Sequence, residues 1–302
     1  MSRPLDWNVE GLDWPHRQAS RFVEAAGIRW HVQRLGQGPV LLLIHGTGGA
    51  THSWRDLMPL LANDFTCVAV DLPGHGFTAM PPAACLSLEG MARLLAALLA
   101  RLRMSPELVI GHSAGAAIAA RLQLHERLEA DAIVSVNGAL LPLRGMSGLV
   151  FPPAAKLMAS NAIASRLFAW RARDPSVVPR LLGDIGSRLD ARGEALYARL
   201  ARNPVHVSAA LGMMARWDVA PLKAMLPTLR ARLHLVAAAR DRAVPPAQSR
   251  AVAVAVPHAT FTLVEDAGHL AHEEMPARIA ALIVDEWRRG RAAGRTQRKP
   301  AM

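Results

Sequence analysis

Cysteine is nearly absent. The 302 residues include two, Cys67 and Cys85, with no Cys-x-x-Cys pair. That excludes a disulfide scaffold and a cysteine-rich zinc or iron–sulfur site. Lysine is scarce as well, with only Lys156, Lys223 and Lys299. None of them follows a glycine ahead of Ser or Thr, so there is no Walker A loop and no basis for ATP hydrolysis. No apolar run approaches the roughly 18 uncharged residues that a membrane span requires. The N-terminal stretch carries Asp6, Glu10, Asp13 and several arginines where a secretory signal would have an apolar core. A reducing cytoplasm is therefore the expected compartment, with at most a peripheral contact at the inner membrane.

Apolar residues, in contrast, are plentiful. They make up 51% of the chain, enough to fill a sizeable core and to exclude disorder over most of the length. The net charge of +11 is unevenly spread. Arg288, Arg289, Arg291, Arg295, Arg298 and Lys299 crowd the C-terminus, and without them residues 1–287 carry only +5. This basic excess reads as a solvated, disordered tail over 288–302, suited at most to anionic lipid or an acidic partner. No recognition motif accompanies it, so nucleic acid is not an expected partner.

Short apolar runs alternate with longer helical patterns. Strands are expected at 21–24, 30–34, 40–44, 66–70, 108–110, 132–136, 233–237 and 260–264. Several are continuously apolar, as in parallel strands buried on both faces. Between them, Leu88, Met91, Leu94, Leu95, Leu98, Leu99 and Leu102 recur at helical spacing, with Ser87 placed to cap the helix. A further helix is expected from Pro276, carrying Ile279, Leu282, Ile283 and Trp287. The pattern predicts an α/β fold with a mostly parallel eight-stranded sheet flanked by helices. The alternation stops at 138–227, which reads as an inserted helical cap between two parts of one core, 1–137 and 228–287.

The sharpest chemical signal is Gly111-His112-Ser113-Ala114-Gly115, which follows a short strand and opens a helix. Its glycines permit a tight turn that lifts Ser113 above the sheet as a nucleophile. A serine hydroxyl needs a base, and His269 in Ala267-Gly268-His269 follows the last strand, where it can reach Ser113. The base needs a carboxylate to hold its tautomer; Asp241 ends the seventh strand, and the order Ser, Asp, His suits this elbow. Glu265 and Asp266 compete for that role but lie too near His269 along the chain. His269 and His272 form an i, i+3 pair without a third ligand, so no metal and no cofactor is expected. The glycine-rich turn His45-Gly46-Thr47-Gly48-Gly49 follows another strand; the Thr47 and Ala114 amides are the expected oxyanion donors. A rival reading takes Gly46-x-Gly48-x-x-Thr51 as a dinucleotide loop with Asp71 on the ribose, but the third glycine is missing.

These motifs, with Asp71-Leu72-Pro73-Gly74-His75-Gly76, resemble the α/β-hydrolase superfamily over nearly all of the chain outside the cap and tail. Within it, Asp13-Trp14-Pro15-His16, HGTGGATHSWRDLMPLLA (45–62), DLPGHGFT (71–78), GHSAGAAIAARL (111–122) and AGHLAHEEMP (267–276) are similar to the magnesium-chelatase accessory proteins of bacteriochlorophyll biosynthesis. The resemblance implies a role near magnesium insertion into protoporphyrin, with chelatase subunits as partners. The expected function is serine hydrolysis of an ester-like bond. The alternatives are a non-catalytic accessory protein that binds a porphyrin or the chelatase, and a general carboxylesterase. Residues 140–170 hold Arg144, Lys156 and Arg166 with no acid, among Leu149, Val150, Phe151, Leu157, Met158, Ile163, Leu167, Phe168 and Trp170. That mixture suits a large apolar anion such as a tetrapyrrole, an anionic membrane, or simply the packing of the cap onto the sheet.

Overall fold

The computed structural model describes residues 3–125, 128–142 and 162–297. Eight strands form one sheet: β1 (Ser20–Ala25), β2 (Ile28–Leu35), β3 (Val40–Ile44), β4 (Thr66–Val70), β5 (Leu108–His112), β6 (Ala132–Val136), β7 (Arg232–Ala238) and β8 (Thr260–Val264). Their spatial order is β1-β2-β4-β3-β5-β6-β7-β8. β2 runs antiparallel to both β1 and β4, and the remaining neighbours are parallel. All eight expected strands are present, some longer by one or two residues at their ends.

The central strands bury both faces, which explains their unbroken apolar sequence. In β3, Leu42 and Ile44 face one core with α2 (Leu88–Leu102) and α3 (Ala114–Leu124). Leu41 and Leu43 face the other, with α1 (Leu57–Leu61) and the C-terminal helix. Ser87 caps α2 as its position suggests, its Oγ accepting from the Gly90 amide at 3.2 Å.

Between β6 and β7 the described residues hold no strand. They form α4 (Ala162–Arg171), α5 (Val177–Asp184), α6 (Ala191–Ala201), α7 (Pro204–Ala215), α8 (Ala220–Met225) and a single 3-10 turn. α4 packs on α7, and Ser165 and Ala169 in it and Ala172 just past its end are buried. Phe168 is half-buried, and the other bulky side chains point outward: Ile163, Leu167 and Trp170 are 68%, 60% and 60% exposed. Packing onto the sheet is therefore not what these three do. Arg144, Leu149, Val150, Phe151, Lys156, Leu157 and Met158 lie outside the described residues.

Past β7 come α9 (Pro246–Ala255), α10 (Ala271–Glu274) and α11 (Pro276–Gln297). α11 begins at the proline expected and buries Ile279, Ile283 and Trp287. It corrects one expectation, because the basic segment after residue 287 is helical through Gln297. Arginine and alanine are strong helix formers. Arg288 also pairs with Asp64 at 3.6 Å, and the Arg291 guanidinium lies over the Trp287 ring at 5.5 Å. Residues 298–302 of that tail lie outside the described residues. No helix of the described residues is long and apolar enough to cross a membrane.

Candidate active site

β5 runs straight into α3 at Ser113, whose backbone sits at φ 51°, ψ −117°. A non-glycine residue there is strained and persists only where its surroundings enforce it. Here the crowding is explicit. A Cβ on Gly111 would come within 2.4 Å of the Ala116 backbone, and one on Gly115 within 2.1 Å of the Ile44 carbonyl oxygen. The Ser113 amide donates to the Val136 carbonyl at 3.1 Å, tying the elbow to the end of β6.

Asp241 follows β7 and His269 follows β8, on adjacent strands at the same sheet edge. His269 Nδ1 lies 2.8 Å from Asp241 Oδ2. The carboxylate accepts only, so Nδ1 carries the proton and Nε2 keeps its lone pair, as a general base requires. The other carboxylate oxygen accepts from the Ala243 and Val244 amides, both at 2.8 Å. Asp266 is exposed and pairs with Arg240 instead. Both Asp241 and His269 are buried. The Ser113 hydroxyl makes no hydrogen bond among the described residues, to His269 or to the helix it precedes. The elbow and the base are joined instead through His112: its ring centroid lies 4.7 Å from that of His269, and its Nε2 donates to the His269 carbonyl at 2.8 Å.

The oxyanion loop is a tight turn. The Gly49 amide donates to the Gly46 carbonyl at 3.1 Å, and Gly48 takes φ +78°, the third position of a type II turn. The Thr47 and Ala114 amides have no hydrogen-bond acceptor among the described residues, and Ala114 stands at the positive end of α3. His45 Nδ1 donates to the Gly46 carbonyl at 2.7 Å while its Nε2 accepts from Leu72 at 2.9 Å. Burial lowers the His45 pKa, keeping the neutral ring that this pattern needs.

Asp71 has no place for a ribose. It is fully buried, with His31 Nδ1 and the Phe77 amide on Oδ2 and the Thr51 amide on Oδ1 at 2.8, 2.9 and 2.6 Å. Burial alone would raise its pKa, but the His31 ring and these donors outweigh it and hold Asp71 below the usual carboxylate range. It ties Thr51, just past the oxyanion loop, to Phe77, just past the Gly74-His75-Gly76 turn. His272 is turned away from any metal geometry, with Nε2 3.4 Å from Ser53 Oγ and its ring against Trp54 and His112.

Four supporting residues escape sequence reasoning. Asn137, at φ 48° just past β6, donates to the carbonyls of Gly268 and His269 at 3.0 and 2.8 Å and accepts from Ala238 at 2.8 Å. Its Asn-Gly pair signals a turn but not this clamp. His112 is the unspecified second position of the elbow motif. The cap supplies the other two. Ser187 Oγ accepts from the Leu270 amide at 2.8 Å, and His206 lies between Gly48 and Gly76. No local pattern marks either one.

The chain matches the Alpha/beta hydrolase family over residues 41–282. It belongs to that family. It is 37% identical over 288 residues to the Magnesium-chelatase 30 kDa subunit of Rhodobacter capsulatus, covering 95% of this chain and 100% of the relative. It is 30% identical to the dihydrolipoyllysine-residue acetyltransferase component of the acetoin cleaving system of Cupriavidus necator, over 88% of this chain and 68% of that one. Among solved structures, an alpha/beta hydrolase fold protein from Burkholderia ambifaria superimposes with TM-score 0.77 at 24% identity, covering 94% of this chain and 100% of the other. At that identity the likeness is one of fold.

Proposed function

We propose that the chain is a serine hydrolase acting on an ester-like bond of a substrate admitted by the cap, in the setting of bacteriochlorophyll synthesis. One observation carries the catalytic part: the 2.8 Å bond from His269 Nδ1 to a carboxylate doubly anchored by backbone amides, at the same sheet edge as a strained serine elbow. In this mechanism Ser113 Oγ attacks the carbonyl carbon as its proton passes to His269 Nε2. The oxyanion forms against the Thr47 and Ala114 amides. His269 then protonates the departing alcohol, and a water, deprotonated by the same ring, releases the acyl group. Asp241 stays ionised and stabilises the imidazolium.

The setting rests on the relative named as a magnesium-chelatase subunit. That name also supports a second reading, an accessory protein whose cap binds a porphyrin or docks on the chelatase. The outward Leu167 and Trp170, with Arg166 on the same helix, suit a flat apolar ring bearing carboxylates. The test is covalent labelling with a fluorophosphonate together with turnover of p-nitrophenyl acetate. Both are expected in the wild type and in neither Ser113→Ala nor His269→Ala. A folded wild type that neither labels nor turns over, beside an active control hydrolase, leaves the accessory reading.

A further inference from the structure

The oxyanion turn is built from the core, yet the group that fixes its outer edge comes from the cap. α7 is preceded by Asn203, whose Oδ1 accepts from the Val205 and His206 amides and orients the first turn. That turn buries His206 between two core loops. His206 Nε2 lies 3.1 Å from the Gly48 carbonyl oxygen, and its Nδ1 accepts from the Gly76 amide at 3.1 Å. One neutral tautomer, with the proton on Nε2, satisfies both bonds. Gly48 has no side chain to resist rotation and sits at positive φ, so its peptide planes are the least constrained part of the turn. From within the core, the turn is held at Gly46, by the His45 ring and the Gly49 amide. The Gly48 carbonyl is held by His206. Two turns of α7 onward, Met213 Sδ lies 3.5 Å from the Thr47 hydroxyl, a second cap contact on the residue whose amide is the expected oxyanion donor.

We infer that His206 is a positioning residue: from the cap it fixes the Gly48–Gly49 peptide and, with Met213 on the Thr47 side chain, holds the outer half of the oxyanion turn whose Gly46–Thr47 peptide the core already anchors. This rests on the serine-hydrolase reading and deepens it. The cap thereby does more than select substrate. A ligand that shifts α7 also loosens the outer half of the turn that carries the Thr47 N–H, which couples occupancy of the cap to catalytic competence.

The experiment compares the full-length wild type with His206→Ala and His206→Gln. Measurements are kcat and KM on p-nitrophenyl acetate, inhibition by a trifluoromethyl ketone that forms a tetrahedral adduct on Ser113, and thermal stability. For His206→Ala, kcat is expected to fall by about 10- to 100-fold, as for lost supports of a reacting group, with KM within about twofold. The ketone should weaken in proportion to kcat/KM, because both report the tetrahedral state. His206→Gln, whose amide N–H can reach the Gly48 carbonyl, should recover part of both. If His206→Ala loses stability but its folded fraction keeps wild-type kcat and ketone affinity, the residue is merely structural and the inference is overturned. A wild type that shows no serine-dependent turnover removes both the catalytic reading and this inference, and is told apart from the preceding outcome by the wild-type assay alone.

Discussion

Replacing Asp241 by asparagine tests the acid–base relay most directly. The buried carboxylate divides its work: one oxygen accepts from the Ala243 and Val244 amides at 2.8 Å each, and the other faces His269 Nδ1 at 2.8 Å. The isosteric amide has only one accepting end. With its oxygen on the two backbone amides, its N–H2 faces His269, and Nδ1 must become the acceptor. The imidazole proton then moves to Nε2, where the lone pair for Ser113 is needed. The flipped amide would restore the right tautomer, but it would set N–H2 against two buried N–H donors and orphan both, at roughly 1–3 kcal/mol each. The wrong tautomer is therefore the favoured one. The expected loss in kcat/KM on p-nitrophenyl acetate is about 1,000- to 10,000-fold, or about 4–5.5 kcal/mol. Fluorophosphonate labelling should slow in parallel. The melting temperature should change little, because every buried polar group keeps a partner. Asp241→Ala should show the opposite balance. It orphans both amides and costs more stability, yet it frees the imidazole to choose its tautomer, so its activity should be no lower than that of Asp241→Asn. An asparagine variant within tenfold of wild-type activity, or one less stable than the alanine variant, refutes this account of Asp241.

Asn137→Leu removes two donors from the Gly268 and His269 carbonyls and should lower kcat on p-nitrophenyl acetate by at least about tenfold; a folded variant with wild-type kcat would make Asn137 structural only. Gly115→Ala should destabilise beyond the usual ~1–3 kcal/mol of overpacking, since its Cβ meets the Ile44 carbonyl oxygen, and chemical denaturation measures it. Burial holds His206 and His234 at about 4 and His272 at about 3, and lowers His45, His52, His75 and His112 as well. Between those values and the ordinary histidine range, the unfolded chain binds more protons than the folded one, so stability rises with pH from about 4 to about 6.5. Calorimetry should show that rise, and a melting temperature flat over this range would contradict neutral burial. Protoporphyrin should quench tryptophan fluorescence saturably, less so in Arg166→Glu; salt-sensitive sedimentation with anionic vesicles and no quenching would assign the outer face of α4 to lipid.

Much of this protein was legible in its residues, because the relevant physics is local. The unbroken apolar run at 40–44 predicts a strand covered on both faces, and the structure places Leu41 and Leu42 in opposite cores. Ser87 and the leucines after it predict a capped amphipathic helix, and Gly111 and Gly115 predict the elbow, since each depends on neighbours a few residues away. The tail departs from its charge pattern because helix propensity outweighs it; Asp64, far off in sequence, and Trp287, one turn back in the same helix, hold arginines that charge counting leaves in solvent. Asp241 and His269 were identifiable as strand-end residues, but their 2.8 Å bond exists only because β7 and β8 are neighbours in the sheet. The supports of the site were invisible for the same reason. Asn137 reaches across to Gly268 and His269, and His206 crosses from the cap to Gly48. A hydrogen bond between residues more than a hundred positions apart leaves no periodicity and no spacing to read. Only the folded chain brings the two ends together.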